Sequence, residues 1–309
     1  GTKKDPREPR LRRGPSGKTI ENEFFRVTPN ADGSVNLKDK ETGITYKGLN
    51  FFEGVEDVGD EYDYSPLPAP RSVRITNHGK AARIAVLRSV PYKQSLAISP
   101  ELRAPRGLKS DRTARSRRMV SIPIRSTVTL YRGIRRVDFE TVVENRARDH
   151  RLRAGFPTGI RTTSAYAESK FDVVRRPLRF PRYAEKYHQP PVPTQHVETF
   201  VDVHDGRRGF ALLNDGLPEY EARQEAAGVT LYQTLLGGGQ EAHAKPEENP
   251  FADSHLLLEK KRAGQNPKHG EQNADFELFI PPDALPQGSA GRSVVIKGFL
   301  ICVGDRGRG

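Results

Sequence analysis

The chain has no tryptophan, one cysteine and one methionine among its 309 residues, and each shortage closes off a class of function. A lone Cys302 excludes an internal disulfide and a thiolate metal cluster, and it points to a reducing, cytoplasmic setting. No apolar run approaches the roughly 20 residues that a membrane helix needs, and no secretory h-region opens the chain. The spacings HxH and HExxH are missing, so no tetrahedral metal set can be read. His196 and His204 flank a strand with Asp202 nearby, and they read as separate surface histidines. Without a GxSxG elbow or a GxxxxGK loop, serine-nucleophile and phosphate-cradling chemistry are set aside as well.

Charge is plentiful. The net charge is +12, but the Arg and Lys residues gather in two segments, KKDPREPRLRR at Lys3 to Arg13 and RGLKSDRTARSRR at Arg106 to Arg118. No aromatic residues interleave with them as a nucleic-acid stacking surface requires. Blocks of this kind read as solvated, mobile segments, which makes nucleic acid an unfavoured partner. Residues 1–18 have too little apolar surface to offset backbone ordering and are expected to be a disordered leader.

Order is expected from IENEFFRV onward. Phe25 and Val27 alternate with polar neighbours, and Asp32-Gly33 suits the turn of a hairpin. In STVTLYRGIRRVDFETVVEN, Val128 and Leu130 alternate with Thr127, Thr129 and Tyr131, Gly133 turns the chain, and Val137, Phe139, Thr141 and Val143 return. β-Branched residues at these positions fit a pleated surface better than a helix. FVDVHDGRRGFALLND repeats the pattern around Asp205-Gly206. The segment Ala82 to Leu87 is apolar on both faces toward its end, which predicts a strand covered on two sides. GLPEYEARQEAAG is the one short helical candidate. Residues 237–250 and 260–273 read as Gly- and Pro-rich loops, Asp275 to Ile280 and Ser293 to Val303 as strands, and 304–309 as a frayed tail. The sum is an all-β, antiparallel domain over residues 19–303, carrying a basic loop at 103–118.

Four segments carry a resemblance to a known family: IENEFFRVTPNADGSVNLKDKETGITYKGLN, GVEDVGDEYDYSP, VDFETVVENRARDHRLRAGFPTGIRTTSAYAESKFDVVRRP and VDVHDGRRGFALLNDGLPEYEA. Together they span most of Ile20 to Leu236. They resemble the C-terminal β-domain of glycoside hydrolase family 38 α-mannosidases, in the bacterial branch that includes mannosylglycerate hydrolases. The resemblance implies a large β-supersandwich of the galactose-mutarotase-like type, standing after a catalytic α/β barrel and a helical bundle. Such enzymes are retaining and zinc-dependent, and their zinc ligands and nucleophile lie in the barrel. None of those residues can be placed on this chain. The resemblance therefore implies a domain that is inactive alone, with no cofactor of its own, whose partners are the missing barrel and helical domain and an α-mannoside substrate.

All the candidate site residues but Glu219, which is read from the residues beside the LLNDGLPEY turn, follow from the same resemblance. Relatives lend a tyrosine-bearing segment to the edge of the sugar pocket, and here the comparable segment is Gly59 to Pro66. Asp60, Tyr62 and Tyr64 are the substrate-edge candidates, with Glu219 as a further one beside Tyr220. Which tyrosine corresponds is left open by GDEYDYSP. The carboxylates Asp57, Asp60, Glu61 and Asp63 lie close in sequence, but alternate residues of an extended loop point apart, which disfavours a catalytic pair. ENRARDHRLR reads as a charge-assisted hydrogen-bond network, and Asn214, Asp215 and Gly216 as a turn. Two departures from the family stand out: LYQTLLGGGQ where an Arg and aromatic residues are usual, and a final stretch of about 70 residues with no recognisable match. Competing functions are a stand-alone carbohydrate-binding module, for which Tyr62, Tyr64, Tyr183 and Tyr187 are the available rings, and a polyanion binder.

Overall fold

In the computed structural model, residues 18–59, 64–67, 74–87, 89–179, 193–236 and 293–304 are described. Among them the chain forms strands and no helix. In chain order these are β1 (Ile20–Glu21), β2 (Phe25–Pro29), β3 (Val35–Asp39), β4 (Thr45–Leu49), β5 (Phe51–Glu56), β6 (Ile75–Thr76), β7 (Arg83–Val86), β8 (Lys93–Ser99), β9 (Glu101–Pro105) and β10 (Met119–Tyr131). There follow β11 (Val137–Glu144), β12 (His150–Pro157), β13 (Ser164–Glu168), β14 (Val173–Pro177), β15 (Thr194–His196), β16 (Phe200–His204), β17 (Arg208–Asn214), β18 (Glu219–Glu225), β19 (Gly228–Leu236) and β20 (Ser293–Gly304).

Three antiparallel sheets result. One is the four-stranded meander β1-β2-β3-β4. The second has ten strands in the order β14-β13-β16-β17-β20-β11-β10-β8-β7, with β9 also paired to β10. The third has six, ordered β15-β18-β19-β12-β5-β6.

The clearest sequence alternation becomes the centre of the large sheet. Val128 sits opposite Phe139 and Leu130 opposite Val137 in the β10–β11 pair, with Gly133 at φ 75 in the turn. The late strand β20 fills the place between β17 and β11, so the chain returns to the middle of a sheet begun some 200 residues earlier. Apolar faces of all three sheets meet in one core. Phe139 and Phe156 touch edge to face at 5.7 Å across the ten- and six-stranded sheets, and Tyr46 and Phe210 at 5.3 Å join the meander to the large sheet. Each such buried side chain contributes about 1.5–3 kcal/mol from area removed from water.

The expected turns at Asp32-Gly33 and Asp205-Gly206 are present, with φ of 88 at Gly33 and 84 at Gly206. Asp32 Oδ1 accepts the Ser34 amide at 3.0 Å and fixes the first of them.

Two expectations are overturned. GLPEYEARQEAAG is no helix: Glu219–Glu225 is β18, antiparallel to β19, with Gly228 at φ 125 where the hairpin turns back. Glu and Ala favour helix locally, but Tyr220 enters the core while Glu219 and Glu221 meet arginines of β12, and tertiary pairing outweighs propensity. The strand at Arg83–Val86 is not covered on two sides. It closes one edge of the large sheet, so Ile84 and Val86 are half-buried, Arg83 and Ala85 are exposed, and Leu87 is 41% exposed.

Of the basic loop expected at 103–118, residues 103–105 belong to β9, and 106–118 lie between β9 and β10 with Arg106, Lys109, Arg117 and Arg118 exposed. Leu102 and Ala104 of β9 enter the core and Arg115 is buried, while Arg112, at φ 53, reaches Asp149 at 3.3 Å and the Val58 carbonyl at 3.0 Å. The leader over 1–17, the loops at 237–250 and 260–273, the strand expected at Asp275 to Ile280, and residues 305–309 lie outside the described residues.

Candidate functional site

Strand β12 reads HRLRAGFP. Leu152, Ala154 and Phe156 pack into the core, and the intervening Arg151 and Arg153 are buried as well. A buried guanidinium needs a carboxylate and satisfied donors, or its desolvation goes uncompensated. The neighbouring strands supply both. Arg153 donates to Glu53 of β5 and to Glu221 of β18. Arg223 Nε lies 2.9 Å from Glu221, and Arg74 Nε lies 3.0 Å from Glu53. The guanidinium groups of Arg153 and Arg223 lie over the Tyr232 ring, 4.6 and 4.5 Å from its centroid. The Tyr232 hydroxyl donates to Glu225 at 2.9 Å.

Electrostatics follow this arrangement. Burial alone would raise the Glu221 carboxyl, but the charges of Arg153 and Arg223 outweigh it and hold the group below the usual carboxylate range. Tyr232, whose phenol is desolvated by burial, is pushed well above its ordinary value. Glu221 is therefore ionised and Tyr232 a neutral phenol at physiological pH.

The network reaches solvent at Arg74, whose side chain is 55% exposed, and again around Arg151. Arg151 is 1% exposed, and its Nη2 donates to Glu219 Oε1 at 2.7 Å, where the Glu219 side chain remains 33% exposed. Thr234 donates to the same Glu219 oxygen at 2.5 Å. On the other side the Arg151 guanidinium lies over the Tyr64 ring, 4.2 Å from its centroid. Two of the four substrate-edge candidates, Tyr64 and Glu219, are thus brought together through Arg151. Burial raises the Tyr64 phenol above its ordinary value, so it is a neutral hydroxyl. An aromatic face beside an accessible carboxylate can meet the apolar and hydroxyl surfaces of a sugar, the ring by contact and the carboxylate by accepting hydrogen bonds. Asp60 and Tyr62 lie outside the described residues, as do Tyr183 and Tyr187.

Asp57 is a scaffold group. It is buried, and its Oδ1 accepts the amides of Gly59 and Ser65 at 3.0 Å each, closing the loop that carries Tyr64. Asp149, at φ 48, receives the Leu108 amide at 3.0 Å. His150 is buried against Arg115, 3.3 Å from Nδ1, and burial followed by that positive charge lowers its pKa to about 3. Asn214 Oδ1 accepts the Leu217 amide at 2.8 Å and Gly216 takes φ 79, as a turn there requires. His204 stacks on Tyr166 at 4.8 Å, and His196 pairs with Glu198 at 2.9 Å. Among the described residues no three His, Cys, Asp or Glu side chains converge as a metal site would require.

Arg151, Arg153, Glu221, Arg223 and Tyr232 were not singled out as site residues by the sequence. Their signal was present as complementary alternation: R-x-R at Arg151 and Arg153 against E-x-E at Glu219 and Glu221, 68 residues apart for each bonded pair.

The architecture defines an all-β domain of antiparallel sheets with a charged, part-open face on its smaller large sheet. The chain belongs to the family described as "Glycosyl hydrolases family 38 C-terminal domain", whose profile matches residues 20–236. It is 28% identical over 235 residues to a putative mannosylglycerate hydrolase of Halalkalibacterium halodurans, a match covering 72% of this chain and 26% of the relative. A glycosyl hydrolase family 38 protein from Enterococcus faecalis superposes with a TM-score of 0.69 at 27% identity, covering 94% of this chain and 31% of that one. An α-mannosidase from Enterococcus faecalis V583 gives 0.70 at 25% identity, with 94% and 30% covered. The chain thus spans about a quarter to a third of the relatives it matches.

Proposed function

We propose that this chain is the non-catalytic C-terminal domain of a retaining, zinc-dependent α-mannosidase. In this reading it supports a catalytic barrel and helical domain supplied by the remainder of the enzyme, and it lines the edge of their sugar cleft. It folds as a galactose-mutarotase-like supersandwich over residues 19–303 and works in the cytoplasm. The observation that carries the reading is the contact set of Arg151, a buried arginine that joins Tyr64 and the part-exposed Glu219. The names of the relatives, which include a mannosidase and a mannosylglycerate hydrolase, favour an α-mannoside as the substrate. Tyr62 and Asp60 belong to the same edge in this proposal.

Titration of the isotope-labelled chain with methyl α-mannoside tests it. Shifts centred on Tyr64, Glu219 and Thr234, saturating only above about 1 mM as a half-site worth under about 4 kcal/mol should, support the cleft edge. Shifts confined to another face, or none at these residues, contradict it.

A further inference from the structure

Between the ten- and six-stranded sheets lies a half-open cavity of about 30 Å³, lined in part by Asn50, Phe139, Phe156, Asn214 and Gln233. Two of its lining side chains have their amide orientation fixed by backbone partners. Asn214 Oδ1 accepts the Leu217 amide at 2.8 Å, which leaves Nδ2 as a donor. Gln233 Nε2 donates to the carbonyls of Leu217 and Glu219 at 3.2 and 2.8 Å, which leaves Oε1 as an acceptor. Asn214 is 6% exposed and Gln233 3%, and Asn214 Nδ2 and Gln233 Oε1 are both buried without a hydrogen-bond partner among the described residues. An unmade hydrogen bond at a buried amide costs about 1–3 kcal/mol, so a native core rarely keeps two of them beside one cavity.

The geometry points to an ordered water in this cavity, accepting a hydrogen bond from Asn214 Nδ2 and donating one to Gln233 Oε1. Only a species that both accepts and donates can answer this pair, which excludes a simple ion. A water needs about 10–15 Å³ of such space and two or more polar partners, and both conditions are met. The two amides grip the same corner, Leu217 to Glu219, from β17 and β19. The bound water completes that grip and fixes where β18 begins. The water site stands on the cavity and the amides alone. Its bearing on a sugar cleft, through Glu219, rests on the proposed function.

A crystal structure of the full chain at about 2 Å or better, paired with water-to-amide cross-relaxation spectra of the labelled protein, tests it. The expected result is one solvent peak within hydrogen-bond reach of Asn214 Nδ2 and Gln233 Oε1, and a cross-peak from water to the Asn214 side-chain amide protons. An empty cavity, or either amide turned onto a protein partner with no cross-peak, overturns the inference. If the water is present but methyl α-mannoside leaves Glu219 unshifted, the water site survives and the cleft-edge proposal alone fails.

Discussion

Arg151 and Glu219, 68 residues apart in the chain, meet at 2.7 Å, and the same guanidinium covers the ring of Tyr64. The arginine is buried and the carboxylate is part-exposed, so the pair is anchored from inside and offered to solvent from one end. Everything proposed about this domain's role turns on that asymmetry.

The Tyr64–Arg151 contact is measurable as a coupling. A double-mutant cycle with Tyr64→Leu and Arg151→Met, followed by denaturant unfolding, should return about 0.5–2 kcal/mol, the range for a partly desolvated cation on an aromatic face. A coupling near zero would mean that the ring merely lies nearby.

Arg153 is the keystone of the buried face. Arg153→Met removes the buried guanidinium that Glu53 and Glu221 share, leaving them to the part-exposed Arg74 and Arg223, and it should lower stability by up to about 3–5 kcal/mol. Thermal unfolding should show this as a fall of roughly 10 °C. Glu221, held below the usual carboxylate range in the folded protein, contributes stability that is present above its unfolded pKa and lost as pH falls through its folded one. The wild-type share of this term should therefore fade in acid, and the gap between wild type and variant should narrow there.

His150 gives a second pH dependence. Its folded pKa of about 3 lies below the unfolded value near 6.5, so the unfolded chain binds the proton first. Stability should be full above about pH 6.5 and fall by about 1.4 kcal/mol per pH unit on the way down toward 3. His150→Gln should flatten that slope in urea midpoints measured from pH 7 to 4. An unchanged slope would show that His150 is not the group responsible.

Gly155 tests the packing beneath the same face. A Cβ there would stand 2.3 Å from the Phe51 ring, and that ring already contacts His78 at 4.7 Å and Tyr232 at 5.9 Å. Gly155→Ala should cost about 1–3 kcal/mol through overpacking, read as a lowered urea midpoint. A neutral result would mean that Phe51 has room to turn away.

Much of the fold was legible where β-branched alternation was dense, as in Val128 to Val143, and where Asp-Gly turns interrupted it. The β18 hairpin was not, because EYEARQEAA has the local chemistry of a helix and its reason for being a strand lies in Arg151 and Arg153 on β12. The two-sided reading of Ala82 to Leu87 failed for a related cause: apolar character on both faces does not say that the strand closes a sheet. The site was half legible. Tyr64 came from family resemblance and Glu219 from the residues beside the LLNDGLPEY turn, whereas the arginine joining them required the register of β12 against β5 and β19. In the basic segment, Arg112 and Arg115 meet Asp149, Glu56 and the His150 ring, partners that charge patterning alone does not reveal, while Arg106, Lys109, Arg117 and Arg118 are exposed.

The most direct test of the central claim is hydrolysis of 4-nitrophenyl α-mannoside by the purified chain, with and without added zinc and with metal analysis of the protein. The account predicts no turnover above the blank under either condition, because the proposed function assigns the residues that would perform the reaction to a catalytic barrel outside this chain. Zinc-dependent turnover by this chain alone would contradict it.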